Sequence, residues 1–276
     1  MYIVTGGAGF IGSAILWKLN KEGIDDILVV DDLGSSDKWK NLVNRRYVDY
    51  IHKSDFLTLL TGGKFAPIDA VIHMGACSST TVRDADYLME NNFHYSTALA
   101  EYALHNNTRM INASSAATYG DGSQGFSDSQ ETMHKLKPLN MYGYSKQLFD
   151  LWALRAGALN RVASLKFFNV FGPNEYHKDE MCSMVFRGFN QIRETSGLGL
   201  FKSYRPEYQD GGQRRDFVYV KDCVDVVWWL LEHPDANGVF NIGTGKDRSW
   251  NALAAALFSA MDLEPNIDYI PMPDSL

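Results

Sequence analysis

The chain is poor in cysteine and in positive charge, and it has no long apolar run. Its three cysteines, Cys77, Cys182 and Cys223, are scattered and odd in number. They offer neither a disulfide framework nor a metal knuckle, so a reduced, cytoplasmic protein without a bound metal is expected. A formal charge of -7, with no RNP-like, zinc-finger or basic-helix signature, argues against nucleic acid as a partner. The most apolar run, "VDVVWWLL", is far too short to cross a bilayer, so no membrane partner is expected either. "MYIVTGG" leads straight into strand-like sequence, without the basic stretch and cleavage site of a signal peptide. No internal repeat or low-complexity tract is present. What remains is ordinary for a globular domain: 45% hydrophobic and 21% charged residues in a chain of 276, enough for a Rossmann-sized domain with a smaller second lobe.

Short β-rich runs alternate with helical stretches through the first half. "YIVT", "ILVVD", "YVDYI", "AVIHM" and "MINAS" read as strands, and Ile11 to Lys21 and Asp84 to His105 as helices. That alternation predicts right-handed βαβ crossovers and an α/β fold with a doubly wound parallel sheet. A polar loop covers Gly120 to about Asn140, a helix follows from Met141, and "VASLKFF" is a further strand. After Gly172-Pro173 the loops lengthen. The expected division is a Rossmann domain over 1–170 and, over 171–276, mainly a substrate-binding lobe interleaved with the first.

"YIVTGGAGFIGS" sets Gly6, Gly7, Gly9 and Gly12 between the first strand and the first helix. A pyrophosphate needs the close backbone approach that a Cβ would block, and the helix N-terminus adds free N–H groups and a positive dipole end. The second strand ends in Asp31-Asp32, about twenty residues on, where the dinucleotide fingerprint wants a carboxylate for the adenosine ribose. A carboxylate there favours NAD by repelling a 2′-phosphate, but Lys38 or Lys53 could neutralise that phosphate. The residues themselves leave NAD and NADP open.

"NMYGYSK" poses a choice between two tyrosines. Helical spacing puts residues i and i+4 on one face, so Tyr142 can meet Lys146 and Tyr144 cannot. An ammonium about 5 Å away, at an effective dielectric of ~20, would favour a tyrosinate by roughly 3 kcal/mol, making Tyr142 a plausible base. "NASSAATYG" ends the fifth strand at its carboxyl side, where open α/β sheets bind ligands, and Ser115 there could hold a substrate hydroxyl against Tyr142. His73 and His177 read as packing or loop residues.

The glycine loop, the serine and Tyr-x-x-x-Lys, in this order, resemble the extended short-chain dehydrogenase/reductases over essentially the whole chain. "GACSSTT", "SSAATYG", "PLNMYGYSK", "FFNVFGPNEYHK" and "RDFVYVKD" together are similar to the ADP-L-glycero-D-manno-heptose 6-epimerase family, whose members serve lipopolysaccharide inner-core precursor synthesis. The dehydratases of the superfamily usually carry an Asp-Glu pair where Ala116 and Ala117 stand. The resemblance implies oxidation and re-reduction at carbon 6 of an ADP-heptose, with Tyr142 as base and Lys178 as the second acid/base group. It implies cofactor contacts at Gly6, Gly9, Phe10, Ile11, Gly12, Asp31, Asp32, Lys38, Lys53, Met74, Gly75, Ala76, Cys77, Ser78, Asn91, Lys146 and Val170, and leans the cofactor toward NADP through Lys38. Ser115, Asn169, Arg187, Phe201, Lys202, Ser203, Tyr204 and Arg215 are its candidates for substrate, Arg215 for the diphosphate. It also implies a homo-oligomer, and a family C-terminal segment running past "YIPMPDSL". Two readings stand beside it: a nucleotide-sugar 4-epimerase or related oxidoreductase, and a non-catalytic dinucleotide-binding protein.

Overall fold

A computed structural model describes residues 1–65, 67–204 and 206–272, without the side chains of Asp179 and Glu180. The parallel sheet of the first layer is built from β1 (Tyr2–Thr5), β2 (Ile27–Asp31), β3 (Asp49–His52), β4 (Ala70–His73), β5 (Arg109–Ser115), β6 (Val162–Phe167) and, from much later in the chain, β10 (Gly238–Ile242). Among the described residues its order is β10-β6-β5-β4-β1-β2-β3. The chain therefore winds outward one way from β1 and then, through β4, the other way. The crevice between β1 and β4, outside the strands' carboxyl ends, is the switch point where such sheets bind ligands.

The strands are buried on both faces because helices cover both. Val4, Val29, Ile72 and Leu165 face α1 (Phe10–Lys21) and α7 (Val220–Glu232). Ile3, Leu28, Val71 and Met110 face α2 (Lys53–Thr61), α4 (Tyr95–His105) and α5 (Met141–Arg155). Successive strand residues thus alternate between two separate cores, as the pleat requires. The long helix expected over Asp84 to His105 is present in three parts: Asp84 caps α3 (Ala85–Leu88), a π-helical turn spans Met89–His94, and α4 follows.

A smaller lobe stands over the carboxyl ends. Its parts are β7 (Asn169–Phe171), β9 (Arg214–Tyr219) and β11 (Asp247–Ser249) in one small sheet, and β8 (Leu198–Phe201) with β12 (Ile267–Ile270) in another. Ile192 of α6 (Met184–Thr195), Leu198, Leu200 and Ala254 and Phe258 of α8 (Trp250–Ala260) form its own core. The chain leaves this lobe to contribute α7 and β10 to the large layer, so no single cut separates the two. Among the described residues no helix is long and apolar enough to cross a membrane.

Candidate active site

A cavity of about 660 Å³ opens at the switch point, walled by the carboxyl ends of β1, β2, β4, β5 and β6 and by the segment after β7. On the glycine-loop side, Gly6 holds a φ of +65°, and a Cβ there would lie 2.7 Å from the backbone N of Gly75. A Cβ on Gly12 would be driven into the carbonyl of Gly6. These glycines press α1 against β1 and the loop after β4. No side chain caps α1, and no acidic residue occupies its first turn. Its N–H groups and dipole end are therefore left for an anion.

Asp31 closes this end. Its buried carboxylate accepts hydrogen bonds from the N–H of Ala8 (2.8 Å), the N–H of Asp32 (2.7 Å) and the ammonium of Lys38 (2.5 Å). Lys38, expected to stand ready for a phosphate, is thus already paired with Asp31. Lys53 lies 3.6 Å from Asp32 and donates to Asn91 Oδ1 at 2.9 Å. The π-turn explains how Asn91 gets there. Its neighbour Asn92 exchanges hydrogen bonds with both backbone groups of Cys77 and donates to Ser145, tying helix, loop and α5 together. Such turns recur at functional positions.

At the inner end, Tyr142 and Lys146 line the cavity together with Ser115, whereas Tyr144 is 46% exposed. Lys146 is 2% exposed, and its Nζ has no hydrogen-bond partner among the described residues. Burial pushes its pKa down to about 8, against the opposing charge of Asp150 one turn on. Asp150 is itself held by Lys166 (2.9 Å), Ser114 and Ser164 (2.7 Å each). The tyrosine departs from the expectation of a lowered pKa. Burial raises it, a hydrogen bond with Ser115 lowers it by less, and Lys146 is not among the influences. Loss of water around the phenolate is the largest influence on this tyrosine. Lys178 also lines the cavity, with Nζ 5.5 Å from the ring centre of Phe10. Burial lowers its pKa, and Glu175 and Cys182 push back.

The residues present fit a dinucleotide: an uncapped helix end, a glycine-lined approach and an orphaned ammonium. The model of the NAD dependent epimerase/dehydratase family matches residues 2–243. The chain belongs to this family. Among its relatives, the ADP-L-glycero-D-manno-heptose-6-epimerase of Nitratidesulfovibrio vulgaris is 64% identical over all of this chain and 86% of that one. The protein of the same name from Fusobacterium nucleatum is 50% identical over the same shares. Of solved structures, the Helicobacter pylori ADP-L-glycero-D-manno-heptose-6-epimerase superposes with a TM-score of 0.82 at 27% identity, covering 98% of this chain and 84% of that one. The Thermus thermophilus UDP-glucose 4-epimerase in complex with NAD gives 0.78 at 25%, covering 100% and 88%.

In this epimerase/dehydratase chain every residue expected to touch cofactor lines the cavity, as do Ser115, Tyr142, Lys146, Lys178 and Asn169. Arg187, Phe201, Lys202, Ser203, Tyr204 and Arg215 do not. Arg187 and Arg215 are exposed, and Arg215 donates to the carbonyl of Arg214. His73 is a packing residue: it is fully buried between Thr5 and Ser96, and burial pushes its pKa down to about 3. His177, read as a loop residue, instead lines the cavity and contacts Asn41 at 3.2 Å. Met181, Cys182, Ser183, Phe217 and Trp250 were not foreseen as lining. Only the nearness of Met181 to Ser183 to Lys178 hinted at them; Phe217 and Trp250 arrive from the other lobe.

Proposed function

We propose that this enzyme interconverts ADP-D-glycero-D-manno-heptose and ADP-L-glycero-D-manno-heptose by inverting carbon 6. The observation that carries the reading is one cavity lined by both Tyr142, beside Ser115 and Lys146, and Lys178, which comes from a different part of the chain. The full-length relatives of that name support the substrate. A nicotinamide dinucleotide held by the glycine loop, Asp31 and Lys146 would supply hydride acceptance and return at carbon 6.

The chain's own residues handle position and protons. Tyr142 accepts the proton of the carbon-6 hydroxyl, and Ser115 hydrogen-bonds that oxygen. Lys146 uses its unpartnered ammonium to hold the nicotinamide ribose and to favour the phenolate once a ligand fixes the geometry. Inversion needs an acid/base group on each side of the carbon, and Lys178 is the second. Its desolvated ammonium suits proton transfer near neutral pH better than an exposed lysine would. Ala116 and Ala117 leave no carboxylate for elimination, which favours epimerisation over dehydration.

For the cofactor we favour NADP. The Lys38–Asp31 pair supports this, since a carboxylate already neutralised by lysine does not repel a 2′-phosphate as a bare one would. Residues 1–170, completed by α7 and β10, would hold the cofactor, and the rest mainly the substrate. Cytoplasmic location and self-association extend the reading on the strength of the family resemblance.

The test is incubation of cofactor-loaded protein with ADP-D-glycero-D-manno-heptose, with the carbon-6 configuration followed by NMR. Interconversion is expected, falling at least about 10²-fold in Tyr142→Phe and in Lys178→Ala. An unchanged epimer ratio would refute the reading. Carbon-6 inversion unaffected by Lys178→Ala would refute Lys178 as the second acid/base group.

A further inference from the structure

Glu175 is 1% exposed, a costly place for a carboxylate. It lies at the start of the 3-10 turn Tyr176–Met181 that carries Lys178. Its two oxygens reach both ends of the segment around that turn. Oε1 accepts the N–H of Gly172 at 3.3 Å and the hydroxyl of Ser183 at 2.7 Å; Oε2 accepts the N–H of Ser183 at 2.5 Å. The Ser183 hydroxyl in turn accepts from the N–H of Phe186 and caps α6. The carbonyl of Glu175 accepts the N–H of Lys178 at 3.0 Å. One side chain thus ties the end of β7 to the start of α6, with Lys178 on the arc between.

Both oxygens act as acceptors, which suits a carboxylate; an amide there would turn one acceptor into a donor facing another donor. Among the described residues no ion pair neutralises Glu175, and its charge acts on Lys178. Among the described side chains, Cys182 and His177 of its own segment also face Lys178, while Lys38, from the packed segment Asp37–Leu42, acts on His177 and is itself paired with Asp31. Among these described groups Glu175 is the net charge acting on Lys178.

We infer that Glu175 is a positioning residue for Lys178, clasping the arc at both ends and keeping an anion beside the ammonium. The clasp sets where Lys178 stands; the anion limits how far desolvation strips its proton. Epimerisation then has a second proton donor that is desolvated but still charged when the keto sugar must be re-protonated. This inference rests on the reading of Lys178 as the second acid/base group.

Three variants of the full, cofactor-loaded protein separate the parts. Glu175→Gln keeps the size, removes the charge and turns one of the two accepting oxygens into a donor. Ser183→Ala loosens one end of the clasp and keeps the charge. Glu175→Ala removes both. The lysines are reductively ¹³C-methylated and the Lys178 signal, assigned by its loss in Lys178→Arg, is titrated by NMR; kcat and KM are measured against pH on unmodified protein. In Glu175→Gln the Lys178 midpoint is expected to move to lower pH, together with the matching limb of the kcat profile. In Ser183→Ala kcat should fall while the midpoint stays. Glu175→Ala should lose about 10²-fold in kcat with a much smaller change in KM, as misplacement of a reacting group does.

A Glu175→Gln midpoint equal to that of the unaltered protein overturns the electrostatic part. Unchanged kcat in Ser183→Ala and Glu175→Ala overturns the positioning part. If Lys178→Ala turns over normally, the catalytic reading of Lys178 fails, while the NMR titration still decides whether Glu175 acts on it.

Discussion

Lys146→Met should make the cofactor-free protein more stable while abolishing its turnover. The variant keeps the unbranched stem and removes the ammonium. In the folded protein that ammonium is 2% exposed with no hydrogen-bond partner among the described residues. Burial moves its pKa from the ordinary 10.5 to about 8, even with Asp150 nearby. At about 1.4 kcal/mol per pH unit, the fold bears a penalty of about 3 kcal/mol. The folded pKa lies below the unfolded one, so the penalty is complete below about pH 8, where both states hold the proton. Between 8 and 10.5 the folded state releases its proton first, and stability relative to the unfolded chain recovers as pH rises. At pH 7 the variant should therefore gain up to about 3 kcal/mol, roughly 6 °C in melting temperature for a chain of this size. At pH 10 the gain should shrink below about 1 kcal/mol. Thermal unfolding of cofactor-stripped protein and variant, followed by circular dichroism at both pH values, measures this. A variant less stable at pH 7, or one with the same gain at pH 10, would refute the argument that Lys146 is held charged at a cost for the sake of its ligand.

Lys38→Ala should weaken NADP by about 10- to 100-fold, the worth of one charge-assisted hydrogen bond, and NAD by clearly less. Calorimetric titration with both cofactors decides it, and equal losses would argue that Lys38 only neutralises Asp31. Asp150→Asn leaves the fully buried Lys166 ammonium without its counter-charge. It should cost about 3–5 kcal/mol in denaturant unfolding, most of which Asp150→Asn combined with Lys166→Met should recover.

The local chemistry of this site was written in short stretches of sequence. Glycine spacing, the carboxylate ending β2 and the i, i+4 pair of Tyr142 and Lys146 are set by backbone geometry over a few residues. They could be read without knowing what packs against them. The parallel sheet was legible for the same reason: strands buried on both faces announce themselves by composition. The π-turn that delivers Asn91 and Asn92 was not, because one extra residue in a helical turn leaves the apolar pattern nearly intact. Nor was the elevated pKa of Tyr142, since neighbours along a helix predict a charge but not the loss of water around it.

Contacts between distant segments were decided only in three dimensions. Arg215 and Phe201 suited a diphosphate and a base by residue type, yet the small sheets of the second lobe hold them away from the cavity and bring Phe217 and Trp250 to its wall instead. Residue type states what a side chain can bind; its place along the strand decides whether it reaches the cavity, as Arg215 and Phe217 share a face of β9 and only Phe217 lines it. Tyr142 and Lys178 lie far apart in the chain; residue spacing singled out only Tyr142, with Lys146, and Lys178 entered through the family resemblance. They share a cavity because the chain passes from β6 through β7 and the arc after it folds back over α1, where Asn174 donates to the hydroxyl of Ser13 at 3.0 Å. Local spacing singled out Tyr142 as the candidate base; only the packing of distant segments put Lys178 in the same cavity.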